Sequence, residues 1–362
     1  MSGPRQAGKT TLLQALFPDY RYVSLEEPDA RDFAENDPKG FLRQFDRRVI
    51  FDEAQRVPRL FSYLQVKVDA DKEMGQYILS GSQNFLLLET ITQSLAGRVA
   101  LFKLLPLSLS ELSDQATSEL PQAVFKGGYP ALYDRDLSPA SYFPSYLETY
   151  LERDVRAIQT VKDLTLFRTF MRLCAGRAGQ TLQIQSLAND CGISVPTVKN
   201  WLSILEASYI LFQLPPFFEN FNKRLVKSPK LYFYDTGLVC NLLGIREAEQ
   251  VAVHPLRGGL FENMAISELL KNRWNRGERA DFYFWKDSNG VEVDLVEEAG
   301  IDLNLFEMKY SYTPNTDYFK GIASFRKVSQ RTSGTNAVIY AGEEKRQYSQ
   351  GQLLGWKKLA VL

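Results

Sequence analysis

Two periods of apolar and polar positions alternate along the chain and divide it into regions of different architecture. Leu12, Leu13 and Leu16 follow Lys9 at helical spacing, whereas Val49-Ile50-Phe51 is a short unbroken apolar run ending in Asp52-Glu53. Such a run predicts a parallel strand buried on both faces. Tyr77-Ile78-Leu79-Ser80 predicts a further strand, leading into Gly81-Ser82-Gln83-Asn84. After Pro121 the pattern turns helical, with aromatic residues spread from Tyr142 to Tyr150.

Residues Thr181 to Phe218 read as a winged helix. Leu182, Ile184 and Leu187 give the apolar face of a first helix ending near Asp190, and Cys191-Gly192-Ile193 makes the turn. Ser194 caps the next helix, with Pro196 in its first turn and Val195, Val198, Leu202 and Leu205 along one face. Tyr209–Phe212 and Pro215–Phe218 are the expected strands of the wing. Thr197, Lys199, Asn200 and Ser203 would then face a DNA major groove. A lid or protein-contact role is the alternative.

From Gly258 the pattern becomes mixed. Phe261, Ala265 and Leu269 share a helix face. Phe282–Trp285 and Val291–Val296 read as strands joined by Asp287-Ser288-Asn289-Gly290, a hairpin turn of the Asn-Gly kind. In the next strand, Leu303–Lys309, Leu303, Leu305, Glu307 and Lys309 point one way, and Phe306 and Met308 the other. Glu307 and Lys309 therefore intrude on an apolar face and need partners or a metal. Asp294 and Glu292, on one face of the neighbouring strand, are available.

Composition narrows the chemistry. With 362 residues and 44% hydrophobic content the chain is long enough for several soluble cores. No stretch approaches the ~18 apolar residues of a membrane span, and no signal peptide is recognisable, which predicts a cytoplasmic protein. Cys174, Cys191 and Cys240 are scattered, as expected in a reducing compartment. His254 is the single histidine, so zinc sites built on several histidines are excluded and a Ser-His-Asp hydrolase is disfavoured. Net charge is zero, yet residues 160–230 hold nine basic side chains against four acidic, which fits an anionic partner there or a plain solvated surface.

Gly3-Pro4-Arg5-Gln6-Ala7-Gly8-Lys9-Thr10-Thr11 matches the phosphate-binding pattern G-x-x-x-x-G-K-[ST] at every fixed position. Gly3 and Gly8 let peptide N–H groups turn inward, and the following helix adds its positive end. Lys9 is expected to reach the β- and γ-phosphates of ATP, and Thr10 to ligate Mg²⁺. Asp52 would complete the Mg²⁺ shell, and Glu53 would orient or deprotonate the attacking water. Ser80 and Ser82 are both candidates to sense the γ-phosphate. Arg98 is a candidate arginine finger, with a plain surface role as the alternative.

These signals resemble the AAA+ branch of the P-loop ATPases. The longer pattern is similar to prokaryotic ATPases that carry a fused C-terminal domain of unknown function. Lys126-Gly127-Gly128-Tyr129-Pro130, Tyr150-Leu151-Glu152-Arg153-Asp154 and the stretch from Ser228 to Leu238 carry that likeness further along the chain. The resemblance implies ATP binding and hydrolysis, with Arg5, Gln6, Ala7 and Thr11 in the loop that surrounds the phosphates. Asp294 with Glu307-Met308-Lys309, and Glu262 upstream, resembles the PD-(D/E)xK nucleases, in which the acids bind a metal ion and the lysine positions water.

The expected fold is α/β. Residues 1–115 would form the P-loop parallel sheet, 116–160 a helical linker or lid, 161–245 the winged helix, and 246–362 the nuclease-like domain. DNA or a protein partner at the winged helix is left open, as is a homo-oligomer, and no membrane contact is expected. Two other readings remain: a DNA-interaction module stabilised by nucleotide, and a metal-dependent nuclease regulated by ATP. One feature departs from the pattern. Only Met1 and Ser2 precede Gly3, where the family has a central strand, so unpaired ladder edges and a truncated or misassigned start are expected.

Overall fold

The computed structural model describes residues 1–71, 73–82, 95–112, 118–151, 155, 161, 163–219, 227–329, 331 and 333–362. Gln83, Asn84, Glu152, Arg153, Asp154, Lys162, Lys223 and Arg224 lie outside these. The chain forms two compact units, Met1–Pro106 with Ala207–Tyr209, and Leu107–Glu206 with Ile210–Leu362.

The first unit alternates helices and parallel strands in the order α1 (Lys9–Leu16), β1 (Arg21–Ser24), α2 (Pro28–Asn36), α3 (Pro38–Gln44), β2 (Val49–Asp52), α4 (Pro58–Ala70) and β3 (Tyr77–Leu79). Proline opens α2, α3 and α4, where its missing N–H costs no helical bond. Asp37 caps α3 by accepting from Gly40 N at 2.8 Å. The strand order is β1-β2-β3, all parallel, with Ile50 opposite Tyr22 on one side and Ile78 on the other. Because β2 is flanked by strands and covered by side chains on both faces, all four of its residues are buried. Phe51 packs against Phe41 with ring centroids 5.4 Å apart.

Met1 and Ser2 occupy the central slot that the sequence left in doubt. Ser2 bridges in parallel to Gly81 on one side and Lys103 on the other. Met1 N donates to Leu79 O at 2.5 Å, Gly81 N to Met1 O at 3.2 Å, and Leu104 N to Ser2 O at 2.8 Å. At this level the expected ladder edges are paired.

The second unit begins with α5 (Leu120–Lys126), α6 (Ala131–Asp134), α7 (Pro139–Tyr150), α8 (Leu164–Ala175), α9 (Ile184–Cys191) and α10 (Val195–Ala207). Strands β4 (Leu211–Leu214) and β5 (Lys230–Phe233) then pair antiparallel, and α11 (Thr236–Leu242) and α12 (Ala248–Val253) follow. Next come α13 (Arg257–Asn275), β6 (Phe282–Lys286), β7 (Glu292–Ala299), β8 (Asp302–Lys309), α14 (Lys320–Val328), β9 (Ser333–Tyr340), β10 (Lys345–Tyr348) and β11 (Gly351–Gly355). The last six strands form one mixed sheet in the order β10-β11-β9-β8-β7-β6.

The predicted hairpin at Asp287–Gly290 is present, with the Asp287 carboxylate accepting from Asn289 N and Val291 N, each at 2.8 Å. The expected hairpin is corrected. The strand that pairs with Leu211–Leu214 is Lys230–Phe233, not Pro215–Phe218. Pro215 and Pro216 lack N–H donors and cannot sustain a two-sided ladder. Instead Pro216 bridges to Phe284, and Phe284 N donates to Pro215 O at 3.0 Å.

Two distant motif segments meet in this unit. The Asp235 carboxylate accepts from Gly128 N at 2.7 Å and from Leu238 N at 3.0 Å, so one acid fastens the Gly-Gly turn and caps α11. Gly127 has φ 68°, and a Cβ there would lie 2.4 Å from Asp235 Oδ1. Glycine is required on both counts.

Candidate functional site

The phosphate loop is shaped by close approach. Gly3 runs against Leu104, whose carbonyl oxygen would stand 2.0 Å from any Cβ at this position. Gly8 turns into the left-handed region and starts α1, which aims the helix N-terminus into the loop. Ala7 and Lys9 are buried and Gln6 and Thr11 exposed, with Arg5 and Thr10 between. Lys9 Nζ donates to the carbonyl oxygens of Gly3, at 2.9 Å, and Pro4, at 2.6 Å. The ammonium thus spans the loop from inside.

Asp52, at the end of β2, is the hub of the constellation. Its Oδ2 accepts from Thr10 Oγ1 at 2.7 Å and from the Tyr22 hydroxyl at 2.8 Å. Its Oδ1 accepts from Ser80 Oγ, and from Glu53 N at 3.0 Å. Burial works to raise this carboxyl, but the hydroxyls of Ser80, Thr10 and Tyr22 together hold it below its ordinary value. Tyr22 responds in the opposite sense. Burial first, and then its bond to Asp52, push the phenol up to about 12.

Glu53 stands in the left-handed region at φ 53° and ψ 40°, a costly conformation for a residue with a Cβ. Gln55 Nε2 donates to its Oε2 at 2.5 Å and Ser82 Oγ to the same atom at 3.3 Å. The two serines that sequence could not separate therefore divide the work, Ser80 on Asp52 and Ser82 on Glu53.

Lys9, Thr10, Asp52, Glu53 and Ser80 are brought together. Arg98 is not part of that group. Its guanidinium grips Asp69 through two bonds, of 2.5 and 3.0 Å. Tyr22 was missed, because an exposed-looking tyrosine in a short strand carries no motif.

Of the second expected set, Glu262 and Asp294 are gathered in the second unit with Glu292 rather than with Glu307. Glu262 on α13 and Glu292 and Asp294 on β7 each place a carboxylate oxygen within 4.8 Å of the others. Asp294 Oδ2 accepts from Met308 N at 2.8 Å, and Lys309 Nζ donates to Glu307 Oε1 at 2.7 Å. Burial, followed by the charge of Asp294, raises Glu307 to about 8 and Glu262 to about 7. Lys230 on β5 is the residue sequence reasoning missed. Its Nζ lies 2.8 Å from Glu262 Oε1, touches Glu292 Oε1, and is 3.8 Å from Asp294 Oδ1. The basic excess of residues 160–230 is thus partly internal, since Lys230 is buried against acids that lie outside that segment.

Among the described residues no helix is long and apolar enough to cross a membrane. Residues 1–113 match the family model of an AAA domain. Residues 117–249 match a domain of unknown function (DUF8612), and residues 257–359 match another (DUF4143). An uncharacterized protein of Mycobacterium tuberculosis is 30% identical over 355 residues, covering 95% of this chain and 76% of that protein. One of Mycobacterium bovis gives the same figures. An uncharacterized protein of Haemophilus influenzae is 21% identical over 352 residues, covering 87% of this chain and 83% of the relative. With an ATPase-type phosphate loop and acid pair in the first unit, the chain belongs to the family of AAA-type P-loop proteins whose AAA domain is followed by these two C-terminal domains of unknown function.

Proposed function

We propose that the chain is a Mg²⁺-dependent ATPase in which hydrolysis drives movement of its C-terminal modules. The observation that carries this reading is the bond from Thr10 Oγ1 to Asp52 Oδ2, which joins the loop hydroxyl and the strand-end acid at 2.7 Å. A hydroxyl and a carboxylate so placed are the donor set that Mg²⁺ takes beside nucleotide phosphates. Thr10 and Asp52 would hold Mg²⁺, which when bound supplies charge neutralisation at the β- and γ-phosphates. Lys9 binds the same phosphates as a point charge, and backbone N–H groups of Gly3–Thr11 surround them. Glu53, held by Gln55 and Ser82, orients water, and Ser80 links the strand end to Asp52.

The test is ATP turnover by the full chain with and without DNA. Lys9→Ala and Glu53→Gln should each abolish turnover, with Glu53→Gln retaining ATP binding. Turnover that survives both substitutions would overturn the reading.

A second, narrower reading concerns the middle segment. Helices α8, α9 and α10 with the Thr181–Lys230 bridge and the β4–β5 pair follow the element order of a winged helix. Lys199, Asn200 and Ser203 of α10 are exposed. Glu206, the acid that would oppose DNA there, is half-buried and bonded to Gln213. This favours the exposed face of α10 as a nucleic-acid or protein contact. A Lys199→Glu variant with unchanged affinity for both DNA and protein partners would remove it.

A further inference from the structure

The acidic cluster of Glu262, Glu292 and Asp294 has the carboxylate donor set that a divalent cation needs, and its likeness to the metal-dependent nucleases implies one there. The geometry tests that implication. A hard divalent ion binds carboxylate oxygens at about 2.0–2.6 Å and claims the space between them. Here that space is taken. Lys230 Nζ bonds to Glu262 Oε1 at 2.8 Å, contacts Glu292 Oε1, and lies 3.8 Å from Asp294 Oδ1.

The lysine is held there from several sides. Its side chain is only 4% exposed, and the Phe284 ring lies 5.6 Å from Nζ. Tyr232, two residues along β5, donates its hydroxyl to the same Glu262 oxygen at 2.5 Å. Backbone pairing fixes the root of the side chain, because Lys230 bridges to Thr181 and pairs with Leu214.

The surrounding acids are paired in part, and Glu307 Oε2 is buried with no hydrogen-bond partner among the described residues. Lys286 Nζ takes the second oxygen of Glu292 at 3.0 Å, and Lys309 takes Glu307. Three lysines thus face four carboxylates. A divalent ion entering this cluster would meet a buried ammonium of like charge in its own position, an expensive arrangement at low dielectric.

We propose that Lys230 is itself the cation of this cluster, standing where a metal ion would have to bind, so that the acids form an internal ion-pair hub that ties β5 to α13 and β7 and excludes divalent metal. Lys230 thus fills the space between Glu262, Glu292 and Asp294, two of which belong to the expected metal set.

Two measurements on the full chain test this. The first is Mn²⁺ titration read by electron paramagnetic resonance, without nucleotide, on the wild type, Lys230→Met, and Lys230→Met combined with Asp294→Asn. Lys230→Met should gain one Mn²⁺ site that the double variant loses, whereas Asp294→Asn in the wild-type background should change nothing. A wild-type Mn²⁺ site lost on Asp294→Asn overturns the proposal, and so does a folded Lys230→Met that gains no site. The second needs no variant. Reductive methylation followed by mass spectrometry should leave Lys230 unlabelled both without and with millimolar Mn²⁺. Labelling of Lys230 on addition of Mn²⁺ would mean that metal displaces it, and would overturn the proposal even if Lys230→Met does not fold.

Discussion

Thr10 of the phosphate loop donates to Asp52 at the end of β2 across 2.7 Å, so the loop and the sheet are latched by two residues forty-two positions apart. Losing the hydroxyl should weaken the hold on Mg²⁺ by about 10–100-fold, the usual effect of removing a partner that orients a metal ligand. Thr10→Val is expected to raise the Mg²⁺ concentration needed for half-maximal ATP turnover by that factor, and Thr10→Ser to restore it.

Tyr22→Phe removes one of the three hydroxyls on Asp52. A net loss of about 1 kcal/mol in unfolding free energy is expected from the missing bond. The pH dependence gives a sharper reading. Because the folded chain holds Asp52 below its ordinary value of 3.8, the stabilisation is present above that value and fades as pH falls through the lower, folded one. In Tyr22→Phe the fading should begin at the same pH but be smaller and end at higher pH, which denaturant midpoints across the acid range will reveal.

Glu307 has the opposite sign. Burial, with Asp294 next, lifts its carboxyl from 4.5 to about 8, so the folded chain keeps a proton that the unfolded chain releases. Stability should therefore fall as pH rises between those two values. Glu307→Gln removes that titration, and its stability should fall less over the same window. An unchanged slope would show that Glu307 does not carry the effect.

Asp235→Ala strips two backbone N–H groups of their acceptor in a buried setting and should cost about 3 kcal/mol. Gly127→Ala should destabilise the same junction, since its Cβ would press on the Asp235 carboxylate and its φ is positive. Thermal unfolding of both single variants and of the double checks the coupling. The combined loss should be smaller than the sum of the two.

Arg98 and Asp69 form an exposed pair, so neither Arg98→Ala nor Asp69→Ala should shift the melting temperature measurably. If Arg98 serves as an arginine finger, turnover will drop in Arg98→Ala alone. Equal turnover in both variants would assign the arginine to the surface pair.

The sequence was most legible where chemistry and periodicity coincided. Val49–Asp52 is apolar because both faces are covered, and the acid that ends it could be read directly from that run. The alternation through Glu307 and Lys309 likewise announced two charges needing partners. Tyr22 and Lys230 were not legible for a common reason. Each acts across the fold on a residue thirty or more positions away, and nothing in the local spacing of Arg21–Ser24 or Lys230–Phe233 encodes that partner. The second hairpin strand was misplaced because Pro215–Phe218 and Lys230–Phe233 both look apolar, while the distinction lies in the N–H groups that two prolines lack.

The bonds from Lys9 Nζ to the Gly3 and Pro4 carbonyls make the lysine a drawstring for the loop, beside the grip on phosphate proposed for it. Nucleotide entry is then an exchange in which phosphate oxygens compete with two peptide oxygens for one ammonium. Removing the side chain slackens the loop at the same moment that it deletes the charge. The affinity lost in a Lys9 variant will therefore combine disorder with electrostatics, and a Lys9→Arg chain that restores charge without restoring this short reach should recover only part of it.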